Sequence, residues 1–247
     1  MRTDEYTPGY SAPMVQFMAQ RIAETHASFF LPYLKPGWRV LDAGCGPGTI
    51  TLGLARNVNP GHVVGVDAED SQFEDARATV QREELNVEFR KDSVYQLPFE
   101  DHRFDAVFSH ALLEHLSDPL AAIAEFRRVL KPGGVIALRA GDLGGMLLDA
   151  ESDGPAQAFA SYVAQQKEGL KDPNVGRKLA RLMRQAGFSV EKMTASYEVI
   201  SDLLMKLGPA LAKQFTAPGP FCKLQDRSDT PSLFVALAWC EATGFPV

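Results

Sequence analysis

The apolar segment Val40–Gly48, with the sequence VLDAGCGPG, combines an acid with three glycines at alternate positions, a pattern that suits a ligand-binding turn. Glycine adopts positive φ values without strain and lets the backbone approach a ligand more closely than a residue with a Cβ atom. The sequence predicts a strand from Arg39 to Asp42 before the turn and a helix from Thr49 to Arg56 after it. The free N–H groups and the positive dipole end of that helix would face the ligand. We therefore expect the turn to bind a cofactor.

The spacing of the glycines separates two classes of cofactor. A dinucleotide-binding turn has the pattern G-x-G-x-x-G and places a pyrophosphate at the start of its helix. Here Gly44, Gly46 and Gly48 are followed by Thr49, so the third glycine of the dinucleotide pattern is missing. The carboxylate of Asp42 would also repel a pyrophosphate, whereas it suits a ligand that carries an ammonium and a sulfonium group. A nicotinamide-dependent oxidoreductase is therefore the less favoured alternative.

Two further acids lie at the ends of predicted strands. Asp67 ends the second strand, 19 residues after the glycine turn, and its carboxylate can accept hydrogen bonds from both ribose hydroxyls of an adenosine. Ala68 belongs to the same predicted binding loop. Asp92 follows the third strand and can accept from the exocyclic amine of adenine, which leaves the backbone N–H of Ser93 for a ring nitrogen. The alternative for Asp92 is a helix-capping role.

Further candidates surround the expected position of the reacting group. Ser109 and His110 follow the fourth predicted strand and would flank the cofactor, largely through their backbone. His110 and His115 are candidate general bases because the ordinary pKa of histidine lies near neutral pH. His115 could instead be a buried histidine that ties its helix to the sheet. In the N-terminal arm, Tyr10 could cover the cofactor and Tyr6 the substrate, since aromatic faces attract a sulfonium; a disordered terminus is the alternative.

Strands and helices alternate five times between Arg39 and Arg139, which predicts βαβ units and a doubly wound, mostly parallel α/β sheet. Ligands of such sheets bind outside the carboxyl ends of the strands, where all the acids named above lie. After strand five, Asp142, Phe159 and Tyr162 are candidate substrate contacts. The whole chain is interpreted as one domain, divided into an N-terminal arm and helix (1–34, with the helix from Pro13 to about Phe30), a cofactor-binding core (35–140), a helical lid (141–186) and C-terminal strands with a helical insertion (187–247).

Composition limits the classes of partner. The chain has 247 residues and a net charge of −6, which argues against nucleic acid, because phosphate binding requires clusters of Lys and Arg. Its three cysteines show no metal-ligand or disulfide spacing, so we expect no metal and a reducing, cytoplasmic location. No apolar run reaches the ~18 residues of a membrane span, and the N-terminus does not resemble a signal peptide.

The sequence leaves open whether the chain forms a homo-oligomer. It also leaves open the structure of the apolar segment Ser232–Cys240, which could be a buried strand or a helix from Pro231.

These residues together resemble the class I S-adenosylmethionine-dependent methyltransferases, in particular the small-molecule subgroup of ubiquinone and menaquinone biosynthesis. The resemblance implies a Rossmann-like sheet of seven strands in the order 3-2-1-4-5-7-6, with the last strand antiparallel. It also implies S-adenosyl-L-methionine as cofactor and methyl transfer to a small-molecule acceptor. A protein of this fold that binds the cofactor without methyl transfer is the second alternative. The matching segments are Val40–Gly48, Gly65–Asp67, Asp92, Phe104–His110, Leu113–Leu116 and Arg128–Gly134.

Overall fold

The structure is a computed structural model that describes residue 4, residues 9–150, residue 164, residues 170–199 and residues 233–247. Its strands are β1 (Arg39–Ala43), β2 (His62–Asp67), β3 (Val87–Lys91), β4 (Phe104–His110), β5 (Leu130–Gly141), β6 (Leu147–Ala150), β7 (Phe188–Val199) and β8 (Leu233–Pro246). Its α-helices are α1 (Ala12–Met18), α2 (Ala23–His26), α3 (Thr49–Val58), α4 (Glu74–Glu83), α5 (Pro119–Val129) and α6 (Leu179–Gln185). Short 3₁₀ turns lie at Leu31–Tyr33, Leu113–His115, Leu143–Gly145 and Gly176–Lys178. Within these ranges, no helix combines the length and the apolar character needed to cross a membrane.

The strands form one sheet in which the order β3-β2-β1-β4-β5-β8 continues to β7 on the far edge of β8. Strands β1 to β5 are parallel, whereas β8 runs antiparallel to β5, β6 and β7. The predicted α/β fold and strand order are confirmed, with β7 and β8 as the sixth and seventh strands of that order. The short strand β6 is an addition that pairs with the first half of β8. Because β8 pairs with neighbours on both edges, the last apolar segment is a strand and not a helix.

Helices cover both faces of the sheet, which explains why its parallel strands are apolar on both sides. On one face, α3 packs Leu54 and Val58 against Val40 of β1 and Phe108 of β4. On the other face, α5 buries a stripe of apolar side chains against β1, β4 and β5. Helix α5 begins at Pro119, and the carboxylate of its N-cap residue Asp118 accepts a hydrogen bond from the Ala121 N–H at 3.1 Å. The apolar residues on this stripe of α5 are Ala122, Ile123, Phe126 and Val129.

The N-terminal segment differs from the prediction, because the single helix expected from Pro13 to Phe30 is broken between α1 and α2. Ile22 is extended there (φ −125°, ψ 158°), and the Arg21 carbonyl accepts a hydrogen bond of 2.6 Å from the Thr49 hydroxyl. After the break, Ala23 packs on α3 at Gly53, where an added Cβ atom would lie only 2.5 Å from the Cβ of Ala23. The break therefore lets the N-terminal segment bend over the start of α3, which a continuous helix could not do.

The C-terminal half of the predicted lid agrees in part with the structure. Its last part is a 3₁₀ turn (Gly176–Lys178) that continues as α6, and Gly187, with φ 84°, follows the end of that helix. Residues 151–163 and 165–169, which include Phe159 and Tyr162, lie outside the described residues. The same holds for residues 200–232 and for Tyr6.

Candidate functional site

The glycine turn joins β1 to α3 at the carboxyl end of the sheet, and all three of its glycines have positive φ. An added Cβ atom at Gly44 would lie 2.9 Å from the Leu112 side chain, and one at Gly48 would lie 2.7 Å from the Phe89 ring. At Gly46, which lines a cleft above the turn, no atom of the described residues other than its chain neighbours lies within 4 Å of that position. Gly44 and Gly48 are therefore required by packing, whereas Gly46 leaves space for a ligand.

Asp67 fastens this turn to the end of β2. Its Oδ2 atom accepts a hydrogen bond from the Gly46 N–H at 2.8 Å, and its Oδ1 atom accepts one from the Glu69 N–H at 3.1 Å. Burial raises the pKa of the carboxyl group, although these backbone N–H groups oppose the shift. Each carboxylate oxygen has a second lone pair. The carboxylate, which lines the cleft together with Ala68, therefore retains the capacity to accept two further hydrogen bonds.

A second acid, Asp42, lies beneath the turn. Its side chain is buried, and its Oδ2 atom accepts a hydrogen bond of 2.6 Å from the Thr51 hydroxyl. Burial raises the pKa of this carboxyl group to about 7, and the nearby charge of Asp67 adds to the shift. Asp42 also lines the cleft. A cationic group bound there would favour the ionised form of this carboxyl group.

The residues predicted to contact adenine follow the end of β3. Asp92 and Ser93 both line the cleft, as expected. The Asp92 carboxylate accepts a hydrogen bond of 3.0 Å from Nε of Arg90, and the Ser93 hydroxyl accepts one of 3.3 Å from the Tyr95 N–H. Asp92 does not cap an α-helix, because the next helix after it is α5.

Gln72 lines the same part of the cleft and was not predicted from the sequence. It is 7% exposed and lines the cleft beside Ala68, and neither Nε2 nor Oε1 has a hydrogen-bond partner in the described part of the chain. A buried amide without partners is costly, since each unsatisfied group loses its bonds to water. The sequence carries no signal for this position, because a glutamine after three polar residues is typical of an exposed loop.

At the opposite end of the cleft lie the two predicted histidines. Arg139 Nη1 donates to Nδ1 of His110 at 3.4 Å, so the ring hydrogen of a neutral His110 lies on Nε2. Burial lowers the pKa of His110 well below its usual value, and it lowers the pKa of His115 to about 4. Both rings are therefore neutral at pH 7, and within the described ranges His110 Nε2 has no hydrogen-bond partner.

Trp239 of β8 and Arg21 complete this end, and neither was predicted. The Trp239 ring lies 4.8 Å from His110, and the guanidinium groups of Arg139 and Arg21 lie 4.3 Å and 5.6 Å from the indole. Nε of Arg139 also donates to Glu241 at 3.2 Å. These residues come from β5, β8 and the break between α1 and α2. Their proximity depends on the antiparallel pairing of β8 with β5, which no local sequence pattern encodes.

Glu114 also faces this end of the cleft, from the 3₁₀ turn after β4. It is 6% exposed. Its Oε1 atom accepts a weak hydrogen bond of 3.4 Å from the Gly141 N–H, while no described residue bonds Oε2. Burial raises the pKa of its carboxyl group, and the charges of Arg21 and Arg139 oppose that shift. Glu114 is thus a buried acid with one unused carboxylate oxygen.

Of the predicted residues that the structure describes, most lie around the cleft and three lie elsewhere. Gly48 packs on Phe89 behind the turn. The Ser109 hydroxyl donates to the Ala43 carbonyl at 2.9 Å and links β4 to β1. Asp142 accepts two hydrogen bonds from Arg177, at 2.7 and 2.8 Å, and does not line the cleft. The predicted residues that line the cleft are Tyr10, Asp42, Gly44, Gly46, Asp67, Ala68, Asp92, Ser93, His110 and His115.

Over the described part of the chain, no three His, Cys, Asp or Glu side chains form a group that could hold a metal ion.

Comparisons with known proteins agree with this arrangement. Residues 40–134 match a family described as a methyltransferase domain. An uncharacterised methyltransferase of Schizosaccharomyces pombe is 40% identical over 145 residues, which cover 56% of this chain and 52% of the relative. A ubiquinone biosynthesis O-methyltransferase of Cereibacter sphaeroides is 34% identical over 117 residues, which cover 47% of each chain. The chain thus spans about half the length of these curated relatives. The crystal structure of a SAM-dependent methyltransferase from Aquifex aeolicus superposes with a TM-score of 0.60 at 17% identity, covering 97% of this chain and 100% of the other.

Proposed function

We propose that the chain is a class I S-adenosylmethionine-dependent methyltransferase and that it transfers the methyl group of S-adenosylmethionine to a small-molecule acceptor. The observation that carries this proposal is the glycine turn fastened to Asp67. It combines a close-approach position at Gly46 with a carboxylate that has free lone pairs, and these are the features that an adenosine with a charged sulfur requires.

The residues of the cleft fit this cofactor in chemistry. We assign Asp67 and Ala68 to the ribose, and Asp92, Ser93 and Gln72 to the adenine. The buried carboxyl group of Asp42 and the backbone of Gly44 and Gly46 would hold the amino acid part, with Tyr10 over it. In this assignment a bound ligand supplies a hydrogen-bond partner to the amide of Gln72 and a cation to Asp42, whose pKa is raised by burial.

The chain's own contribution to the reaction is mainly to position the acceptor. The bound cofactor supplies a methyl group that its positively charged sulfur has already activated. The protein must hold the acceptor atom in line with that group, and such positioning can contribute on the order of 7–11 kcal/mol. The end of the cleft that contains His110, Glu114 and Trp239 is the part of the site left for the acceptor.

The acceptor class follows from the charge of the protein and from its relatives. The net charge of −6 disfavours a nucleic acid, and the Cereibacter sphaeroides relative is a ubiquinone biosynthesis O-methyltransferase, which supports a small-molecule acceptor. We propose that residues 141–186 enclose the acceptor, with Tyr6, Phe159 and Tyr162 as candidate contacts. Asp142 is not among them, because Arg177 holds its carboxylate outside the cleft. The proposed location is the cytoplasm, which the low cysteine content favours.

Transfer of a labelled methyl group tests the proposal. S-adenosylmethionine labelled in its methyl group is incubated with the protein and the small-molecule fraction of a cell extract, and labelled products are separated from the cofactor. We expect labelled products with the native protein and none with Asp67→Ala. If the protein binds the cofactor but labels nothing in extracts of varied origin, the proposed transfer is wrong and the non-transferring alternative is favoured.

A further inference from the structure

Oε2 of Glu114, Nε2 of His110 and Nε1 of Trp239 are buried at the acceptor end of the cleft and have no hydrogen-bond partner among the residues that the structure describes. All three side chains line the cleft, and none is more than 6% exposed. Unsatisfied polar groups are costly when buried, and they are rare in proteins outside ligand sites. One of the three is an acceptor, and the other two are N–H donors, because Arg139 fixes the hydrogen of His110 on Nε2. A group that both donates and accepts hydrogen bonds would satisfy them.

The ionisable groups at this end differ in their capacity to take a proton. Burial lowers the pKa of His115 to about 4 and that of His110 well below the usual value, and Arg21 contributes to both shifts. A base with such a low pKa is too weak to draw a proton from a hydroxyl group at neutral pH. Burial raises the pKa of Glu114 despite the opposing charges of Arg21 and Arg139. Glu114 is therefore better matched to this task than either histidine.

We propose that Glu114 is the general base of the reaction and that the acceptor is a weakly acidic hydroxyl compound, such as a phenol or an enol. This inference rests on the proposed methyl transfer and adds the acceptor atom, oxygen, and the residue that takes its proton. Glu114 is held in place by the Gly141 N–H at Oε1, and its backbone carbonyl accepts hydrogen bonds from the N–H groups of Lys171 (3.0 Å) and Asp172 (3.2 Å). The carboxylate oxygen that remains, Oε2, faces the acceptor.

Methyl transfer to a hydroxyl group breaks two bonds and forms two. The O–H bond of the acceptor breaks and its proton moves to Oε2 of Glu114, the oxygen lone pair forms the new O–CH₃ bond, and the C–S bonding pair stays on sulfur. Negative charge develops on the acceptor oxygen while the proton moves. The N–H groups of His110 and Trp239 can donate to that oxygen, and the guanidinium of Arg21, 5.6 Å from the indole, adds a favourable field. The proton on Glu114 returns to water after the product leaves.

The first test is the kind of bond in the labelled product. Hot hydriodic acid converts O-methyl groups to volatile methyl iodide and leaves C-methyl groups in the residue. Under conditions mild enough to spare N-methyl groups, we expect the label from the extract experiment to become volatile. Label that stays in the residue would overturn the inference while the proposed function stands, whereas absence of any labelled product would mean that the proposed function itself has failed.

The second test is the variant Glu114→Gln, which keeps the size of the side chain and an oxygen for the Gly141 N–H. We expect the transfer rate at pH 7 to fall at least 100-fold, in line with general-base catalysis. The affinity for S-adenosylhomocysteine, measured by calorimetry, should change less than twofold, which also shows that the variant is folded. At pH 9 a larger fraction of the acceptor is already ionised, so the difference between the two proteins should shrink at least tenfold.

Glu88→Gln is the matched control, because Glu88 is an exposed glutamate of β3 that pairs only with Arg90 among the described residues. We expect its transfer rate and its pH profile to equal those of the native protein. A Glu114→Gln rate within threefold of the native rate at pH 7, or a loss that is equal at pH 7 and pH 9, would overturn the role of Glu114 as base.

Discussion

Replacing Asp67 by alanine should abolish tight binding of S-adenosylhomocysteine. The carboxylate is proposed to accept two charge-assisted hydrogen bonds from the ribose hydroxyls, each worth about 1.5–3 kcal/mol. Their loss, about 3–6 kcal/mol in total, corresponds to an affinity lower by roughly 10²–10⁴-fold. The variant also removes the acceptor of the Gly46 N–H, so the turn itself becomes less well held. The effect on affinity should therefore lie towards the upper end of this range.

Isothermal titration calorimetry with S-adenosylhomocysteine measures this effect directly. Asp70→Ala is the control, because Asp70 lies in the same loop, is exposed, and bonds Lys91 instead of the turn. We expect its affinity to lie within twofold of the native value, and a thermal melt of each variant shows that the protein is folded. If a folded Asp67→Ala protein binds within threefold of the native affinity, the assignment of Asp67 to the adenosine is refuted.

Three further predictions concern single positions of the cleft. Gly46→Ala should weaken cofactor binding at least tenfold and should destabilise the protein by about 1–2 kcal/mol, because alanine is strained at positive φ. Gly48→Ala should lose more stability in thermal melts, because its Cβ atom would also lie 2.7 Å from the Phe89 ring. Equal losses of stability in the two variants would contradict this contrast. Gln72→Leu should raise the melting temperature of the free protein, because it removes an unpartnered buried amide, and should weaken S-adenosylhomocysteine binding; unchanged affinity would remove Gln72 from the site. Because burial raises the pKa of Asp42 from 3.8 to about 7, Asp42 keeps its proton between these values in the folded protein but not in the unfolded chain, and its contribution to stability falls as pH rises from about 4 to 7. At about 1.4 kcal/mol per pH unit, this loss reaches roughly 4 kcal/mol at pH 7. In denaturant titrations, Asp42→Asn should remove this dependence of the unfolding free energy on pH. The opposite dependence from His115 should remain, because its pKa is lowered to about 4 and its contribution to stability is lost as pH falls from 6.5 towards 4. A difference in unfolding free energy between variant and native protein that stays the same from pH 4 to 7 would contradict the raised pKa of Asp42.

The strands and the glycine turn could be predicted because their signals are local. The apolar runs before Asp42 and Asp67 mark buried parallel strands, and the turn requires glycine wherever φ is positive or a neighbour lies too close. The fold then places these acids at one edge of the sheet by a general rule. For the same reason the adenosine end of the cleft follows from the sequence in most of its residues.

The acceptor end could not be predicted, because it depends on contacts between distant segments. Trp239 reaches the cleft only through the pairing of β8 with β5, and Arg21 reaches it through the break between α1 and α2. The histidines were identified by residue type, but their low pKa values result from burial that the sequence does not display. Asp142 was expected to contact the substrate, yet its position after β5 places it against Arg177 instead.

The central claim is that the turn at Gly44–Gly48 and the carboxylate of Asp67 bind an adenosine attached to a charged sulfur. Calorimetric titration of the native protein with S-adenosylmethionine, and separately with NAD, tests this claim most directly. We predict one S-adenosylmethionine bound per chain and no measurable binding of NAD. Binding of NAD in place of S-adenosylmethionine, or of neither ligand by the folded protein, would contradict the account.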